Sequence, residues 1–85
     1  MALYYFHYVD GGDMLLDPEG RDLPSLGAAA AAALRDARSI IGEGALKGHI
    51  ALDQRIEIED AAGEIVHRLE FADAVTIVPG DRISG

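Results

Sequence analysis

The chain has 85 residues, no cysteine and a formal net charge of −8. That length bounds it to one domain, which buries roughly 60–65% of its unfolded surface. A disulfide framework, thiolate metal ligation and a cysteine nucleophile are all excluded. The only lysine is Lys47 and the arginines are scattered, so direct binding to nucleic-acid phosphates, which draws on clustered cations, is not expected.

Hydrophobic residues make up 49% of the chain, enough to form a core rather than a disordered tail. The first residues, MALYYFHYVDGG, carry no positive n-region and no small-residue cleavage site. The longest apolar run is alanine-rich and far short of the ~20 residues that span a bilayer. No membrane partner is expected, and the expected location is the cytoplasm.

Leu3 to Val9 is aromatic and β-branched, which suits a pleated, half-buried surface. In a strand, Tyr4, Phe6 and Tyr8 share one face, and Leu3, Tyr5, His7 and Val9 share the other. Asp10-Gly11-Gly12-Asp13 is a turn signal, and Met14-Leu15-Leu16 reads as a short return strand. Asp17-Pro18-Glu19-Gly20 is a second turn. A helix comes next, from about Ser25 to about Glu43, capped by Asp22 or Ser25, with Pro24 suited to its first turn. Gly42, Gly44 and Gly48 are expected to end it.

At about 100° per residue, Leu26, Ala30, Ala33, Leu34, Ala37, Ile40 and Ile41 form one apolar stripe. Ala28, Ala31 and Ala32 are expected to point away from it. The small residues at the N-terminal end of the stripe predict close backbone approach there. Arg55 to Asp60 then alternates, with Ile56 and Ile58 on one face and Arg55, Glu57 and Glu59 on the wet one. Ala61-Ala62-Gly63 turns the chain. Glu64 to Phe71 returns, with Ile65, His67, Leu69 and Phe71 on one face. Ala74-Val75-Thr76-Ile77 is a short apolar stretch expected to close the core.

The expected fold is therefore α+β, in the order β-β-α-β-β. A four-stranded, mostly antiparallel sheet carries one amphipathic helix on one face. Residues 1–78 form the single domain, and 79–85 form a flexible C-terminal tail.

Several motifs together carry a resemblance. They are the aromatic strand Tyr4-Tyr5-Phe6-His7 with Asp10-Gly11, the turn Asp17-Pro18-Glu19-Gly20 with Leu23, and the alanine-rich helix Ala28 to Arg38. Ile56-Glu57-Ile58-Glu59-Asp60, Gly63 and Phe71-Ala72-Asp73-Ala74-Val75 complete the set. The chain resembles a family of short bacterial proteins known only as a domain of unknown function. The resemblance spans Tyr4 to Val75, and it implies the fold outline and no activity.

The residues themselves offer little chemistry. His7 and His67, if their strands were neighbours, could hold zinc with one carboxylate. No motif such as H-E-x-x-H fixes that geometry, and no metal or cofactor is expected. Asp10, Asp13, Asp17, Glu19 and Asp22 lack the EF-hand spacing and read as solvated turn carboxylates. Ser25, Ser39 and Ser84 lie in no nucleophile elbow. No catalytic residue is assigned, and an enzyme built on His7 is the least favoured reading. One helix covers one sheet face, so the face bearing Leu3, Tyr5, His7 and Val9 is the expected interface. Its partner would be another protein or a second copy, giving a homodimer. An unpaired sheet edge could also accept a strand. The alternative is an antitoxin-like regulator of a basic partner.

Overall fold

A computed structural model describes residues 1–80. The elements are β1 (Ala2–Asp10), β2 (Asp13–Leu15), β3 (Arg21–Leu23), α1 (Leu26–Leu46), β4 (Gln54–Glu59), β5 (Ile65–Glu70) and α2 (Phe71–Ala74). They build an α+β fold, an open antiparallel sheet with α1 packed on one face. The strand order is β2-β1-β4-β5, and β3 also pairs with β1. The fifth strand is the departure from the four expected. Arg21–Leu23 lies against Ala2–Tyr4 rather than leading straight into the helix. A three-residue strand with two charged residues has no period of its own to betray it. The expected tail over 79–85 falls, for 81–85, outside the described residues.

The β1–β2 hairpin pairs Asp10 with Asp13 across the two-residue loop Gly11-Gly12, as the turn residues require. Tyr8 lies opposite Ile56 and Phe6 opposite Ile58 on β4. Phe6, Ile56, Ile58 and Phe71 are the largest fully buried side chains, each contributing on the order of 1.5–3 kcal/mol through burial.

α1 starts where Ser25 accepts a hydrogen bond from the Ala28 N–H on its Oγ, at 3.1 Å, a normal N-cap. Asp22 lies in β3 and takes no part, and Pro24 precedes the cap instead of occupying the first turn. The helix runs three residues past Glu43, straight through Gly42 and Gly44, so these glycines do not end it. Gly44 has another use. The chain folds back at His49, whose N–H donates to the Gly44 carbonyl at 2.8 Å. A Cβ at Gly44 would meet the His49 carbonyl oxygen at 2.6 Å.

The buried helix face consists of Ala29, Ala32, Ala33, Ala37 and Ile41. It is rotated from the expected stripe. Ala32 faces the core, Ala29 joins it, and Leu26 and Ile40 are exposed. Six consecutive alanines offer no polar residue to mark the outer side, so the period cannot fix the phase there. The expectation of a small contact surface stands: four alanines lie against the sheet, and α2 closes its end with Phe71 and Ala74. Of the stretch expected to close the core, Ala74 is buried and Val75 packs on it, but Thr76 and Ile77 lie past the end of α2 and are exposed.

On β5 the alternation also slips. The pairing shifts between Ile58 and Glu59. Leu69 and His67 lie opposite Ile56 and Ile58, while Ile65 is exposed and Val66 packs against the core. A bulge adds a residue on one strand and re-aims the side chains beyond it, which strict alternation in the sequence cannot foresee. Among the described residues no helix is long and apolar enough to cross a membrane.

Candidate functional site

The face of the sheet opposite α1 carries Leu3, Tyr5, His7 and Val9 on β1 and Arg55, Glu57 and Glu59 on β4. Leu3 and Tyr5 are half-buried, whereas His7 and Val9 are buried despite facing away from the helix. Glu57, expected on a wet face, is buried as well, and Arg55 and Glu59 are half-buried, because two arginines fold over the Glu57 carboxylate. Neighbouring side chains do the covering. The Tyr5 ring stacks parallel to His7, with centroids 6.5 Å apart. Glu57, across from His7 in the register, receives Arg55 Nε at 2.9 Å and Arg68 Nε at 3.1 Å on the same carboxylate oxygen. The Arg55 hydrogen bond lowers the Glu57 carboxyl's pKa, burial works against it, and Arg68 adds to the lowering, so the net direction is down.

His7 is fixed at both nitrogens. The Asp17 N–H donates to Nδ1 at 3.0 Å, and Nε2 lies 3.0 Å from Glu59 Oε1. An acceptor Nδ1 carries no proton, so the neutral ring holds its proton on Nε2 and donates it to Glu59. Neither ring nitrogen then offers a lone pair for a metal. His67 is a strand away, because β4 lies between β1 and β5. It shares the face of Ile58, not that of His7. The two histidines are not brought together. Among the described residues no group of three potential ligands is placed to hold a metal ion.

Asp17 organises the edge beside them. β2 and β3 run along the same edge of β1, at Tyr8–Asp10 and Ala2–Tyr4. Between them the strand pairing is interrupted opposite Phe6. There the Asp17 Oδ2 accepts the Phe6 N–H at 3.1 Å, replacing a missing strand bond. Its Oδ1 accepts the Glu19 and Gly20 N–H groups, each at 3.1 Å. Gly20 has φ +73, and a Cβ there would press to 3.0 Å on the Tyr4 carbonyl oxygen, so the tight turn demands glycine. Burial raises the Asp17 pKa, but the N–H groups of Gly20, Phe6 and Glu19, with the Arg21 charge, outweigh it and hold the carboxyl below its usual range.

This interruption leaves a groove of about 440 Å³, lined on its floor by Phe6 and Tyr8 and on its walls by Leu15 through Arg21. Its inner end is polar. Asp36 of α1 accepts from the Tyr8 hydroxyl at 3.1 Å and from Arg21 Nη2 at 2.6 Å on one oxygen. The Arg21 guanidinium also lies 4.4 Å from the Phe6 ring centre, a cation–π contact. Burial, then Asp36, raises the Tyr8 pKa. The outer wall is apolar and wet: Leu15 is 70% exposed and Leu16 62%. β2 ends the sheet on this side among the described residues, so its outer backbone groups have no strand beside them.

The sequence pointed to Leu3, Tyr5, His7 and Val9 and missed the groove. Arg21, Asp36 and Tyr8 converge from three elements, and no local spacing announces that. Asp17, expected as a solvated turn carboxylate, is half-buried and accepts three backbone N–H groups. An Asp that opens an Asp-Pro-x-Gly turn is a natural acceptor for the next N–H groups along the chain.

Searches of curated proteins and of solved structures find no match. Residues 3–72 match the family model described as a domain of unknown function, DUF6894. The aromatic first strand, the Asp17 clip, the alanine-faced helix and the second hairpin all fall within that span, and the chain belongs to this family.

Proposed function

We propose that the protein is a small interaction module that docks a partner protein on the β2 edge and the groove beside it. The observation that supports this reading is the pair Leu15, at the end of the terminal strand β2, and Leu16 just past it, both exposed and both lining the groove. Scattered surface leucines are ordinary, but neighbouring exposed ones beside a concavity mark docking surfaces. An open edge also offers backbone donors and acceptors to an incoming strand. On the face around Tyr5 and His7, the histidine is engaged by its own stacking and hydrogen bonds, and Leu3 and Tyr5 stay half-buried.

The test is native mass spectrometry of the protein purified gently from its host, wild type beside the Leu15→Ser, Leu16→Ser double variant. Added mass in stoichiometric amount on the wild type, lost in the double variant, is the expected result. Retention of the same mass by the variant would reject the edge as the docking surface.

A second reading draws on the charge of −8. An acidic module could cap a basic protein and hold it inactive, in the manner of an antitoxin. Growth arrest by a basic protein encoded beside this chain, relieved on co-expression, would support that role. Unrelieved arrest would remove it.

A further inference from the structure

We infer that the occupant of the groove is an extended segment of a different protein, in which Lys or Arg residues stand beside apolar ones. This rests on the reading of the β2 edge as the docking surface and adds the chemistry of what docks. The apolar part comes from the half-buried Tyr8 and from the exposed Leu15 and Leu16. The charge comes from the rim. Asp13 shares a face of β2 with Leu15, whose partner across β1 is Tyr8, and Glu19 lines the groove wall. Both are exposed. The cation in the groove wall, Arg21, is already held by Asp36 at 2.6 Å and lies over Phe6. Exposed negative charge therefore stands in the groove wall at Glu19 and beside its apolar lip at Asp13.

A second copy fits this surface poorly. It would bring another −8, and its own edge carries the same exposed Asp13. Like charges in an interface suppress association, whereas opposite ones favour and steer it. An extended conformation is required because the free backbone groups are those of a strand edge, and because the adjoining slot is short and open.

The experiment is selection from a displayed library of random linear peptides on the immobilised whole protein, with the enriched peptides then synthesised for fluorescence anisotropy. Enriched sequences are expected to mix Lys or Arg with apolar residues. Their affinity should fall about tenfold or more in the Leu15→Ser, Leu16→Ser variant. It should also fall in Asp13→Asn, Glu19→Gln and as salt rises towards about 1 M, where the Debye length is about 3 Å. All these side chains are exposed, and circular dichroism confirms that the variants remain folded. Enrichment of neutral or acidic peptides, or of none, overturns the inference, as does affinity indifferent to Asp13 and Glu19. If Leu15→Ser, Leu16→Ser releases a native partner while the selected peptides carry no basic residues, the docking surface stands and the charge assignment fails. If that variant changes neither, both readings fail. A stoichiometric homodimer that the variant dissolves would overturn the inference while leaving the docking surface in place, with a second copy as its occupant.

Discussion

The backbone N–H of Asp17 donates to His7 Nδ1 at 3.0 Å, and this bond ties a surface turn to the interior of the sheet. The same aspartate's carboxylate takes the N–H of Phe6, one residue along β1. Backbone and side chain of one residue thus clip the Leu16–Gly20 excursion to adjacent positions of β1. The clip holds the groove open by keeping β2 and β3 apart on the same edge.

The tautomer is the first consequence to test. With Nδ1 accepting and Nε2 facing Glu59 Oε1, long-range nitrogen–proton correlation spectra of the ring at neutral pH should show the Nε2–H form. An Nδ1–H signature would show that the Asp17 bond is not made. His7→Asn retains an acceptor close to the place of Nδ1 and should be milder than His7→Leu, which leaves the Asp17 N–H without its partner. The expected cost of His7→Leu is about 1–3 kcal/mol, read from urea unfolding.

Acid weakens the clip in a defined direction. The Asp17 and Glu57 carboxyls are held below their ordinary values in the folded chain, which are about 3.9 for Asp and 4.3 for Glu. A carboxyl with a depressed folded value contributes stability that is present in full above its unfolded value. That contribution is lost as pH falls through the folded one. Asp17→Asn should therefore destabilise clearly at pH 7, and the gap to wild type should close as pH falls below about 4. A gap unchanged down to about pH 2 would show that the carboxylate charge is not what the turn uses.

At the basic end the sign reverses. The Tyr8 phenol is raised above its ordinary value of about 10. Its protonated form, donating to Asp36, stabilises the fold below that value, and the contribution is lost as pH rises through the folded one. Ultraviolet titration should show a tyrosine step above the ordinary phenol value, which Tyr8→Phe removes and Asp36→Asn moves down. A late step that Tyr8→Phe leaves in place would contradict the assignment.

The helix face gives a packing test. Ala29 and Ala33 are wholly enclosed and Ala32 nearly so, although the sequence alone put Ala32 outside. Ala33→Leu and Ala32→Leu should each cost about 1–3 kcal/mol by overpacking, measured by denaturant midpoints. Ala31→Leu, on the exposed side, should be near neutral. Equal tolerance at positions 31 and 32 would restore the unrotated stripe.

Strands with strong alternation, such as Arg55–Asp60, and turns built on Asp and Gly were legible in the sequence because their chemistry is local. The five-strand sheet, the phase of the alanine run and the slip near Ile65 depend on contacts between distant segments, or on a bulge, and carry no local mark. The same holds for the candidate site. His7 drew notice as a lone histidine among aromatics, but both its partners, Glu59 and the Asp17 amide, come from other segments. The exposed run Met14-Leu15-Leu16 read as an ordinary return strand until the topology placed it at the end of the sheet.

Hydrogen exchange tests the docking surface most directly. Amide exchange over Asp13–Asp17 would be compared, by mass spectrometry, in the free protein and with a selected basic peptide bound. Docking on the edge predicts marked slowing over Asp13–Asp17 and little change over Gln54–Glu70. Protection confined to β4 and β5, with Asp13–Asp17 exchanging as in the free protein, would contradict it.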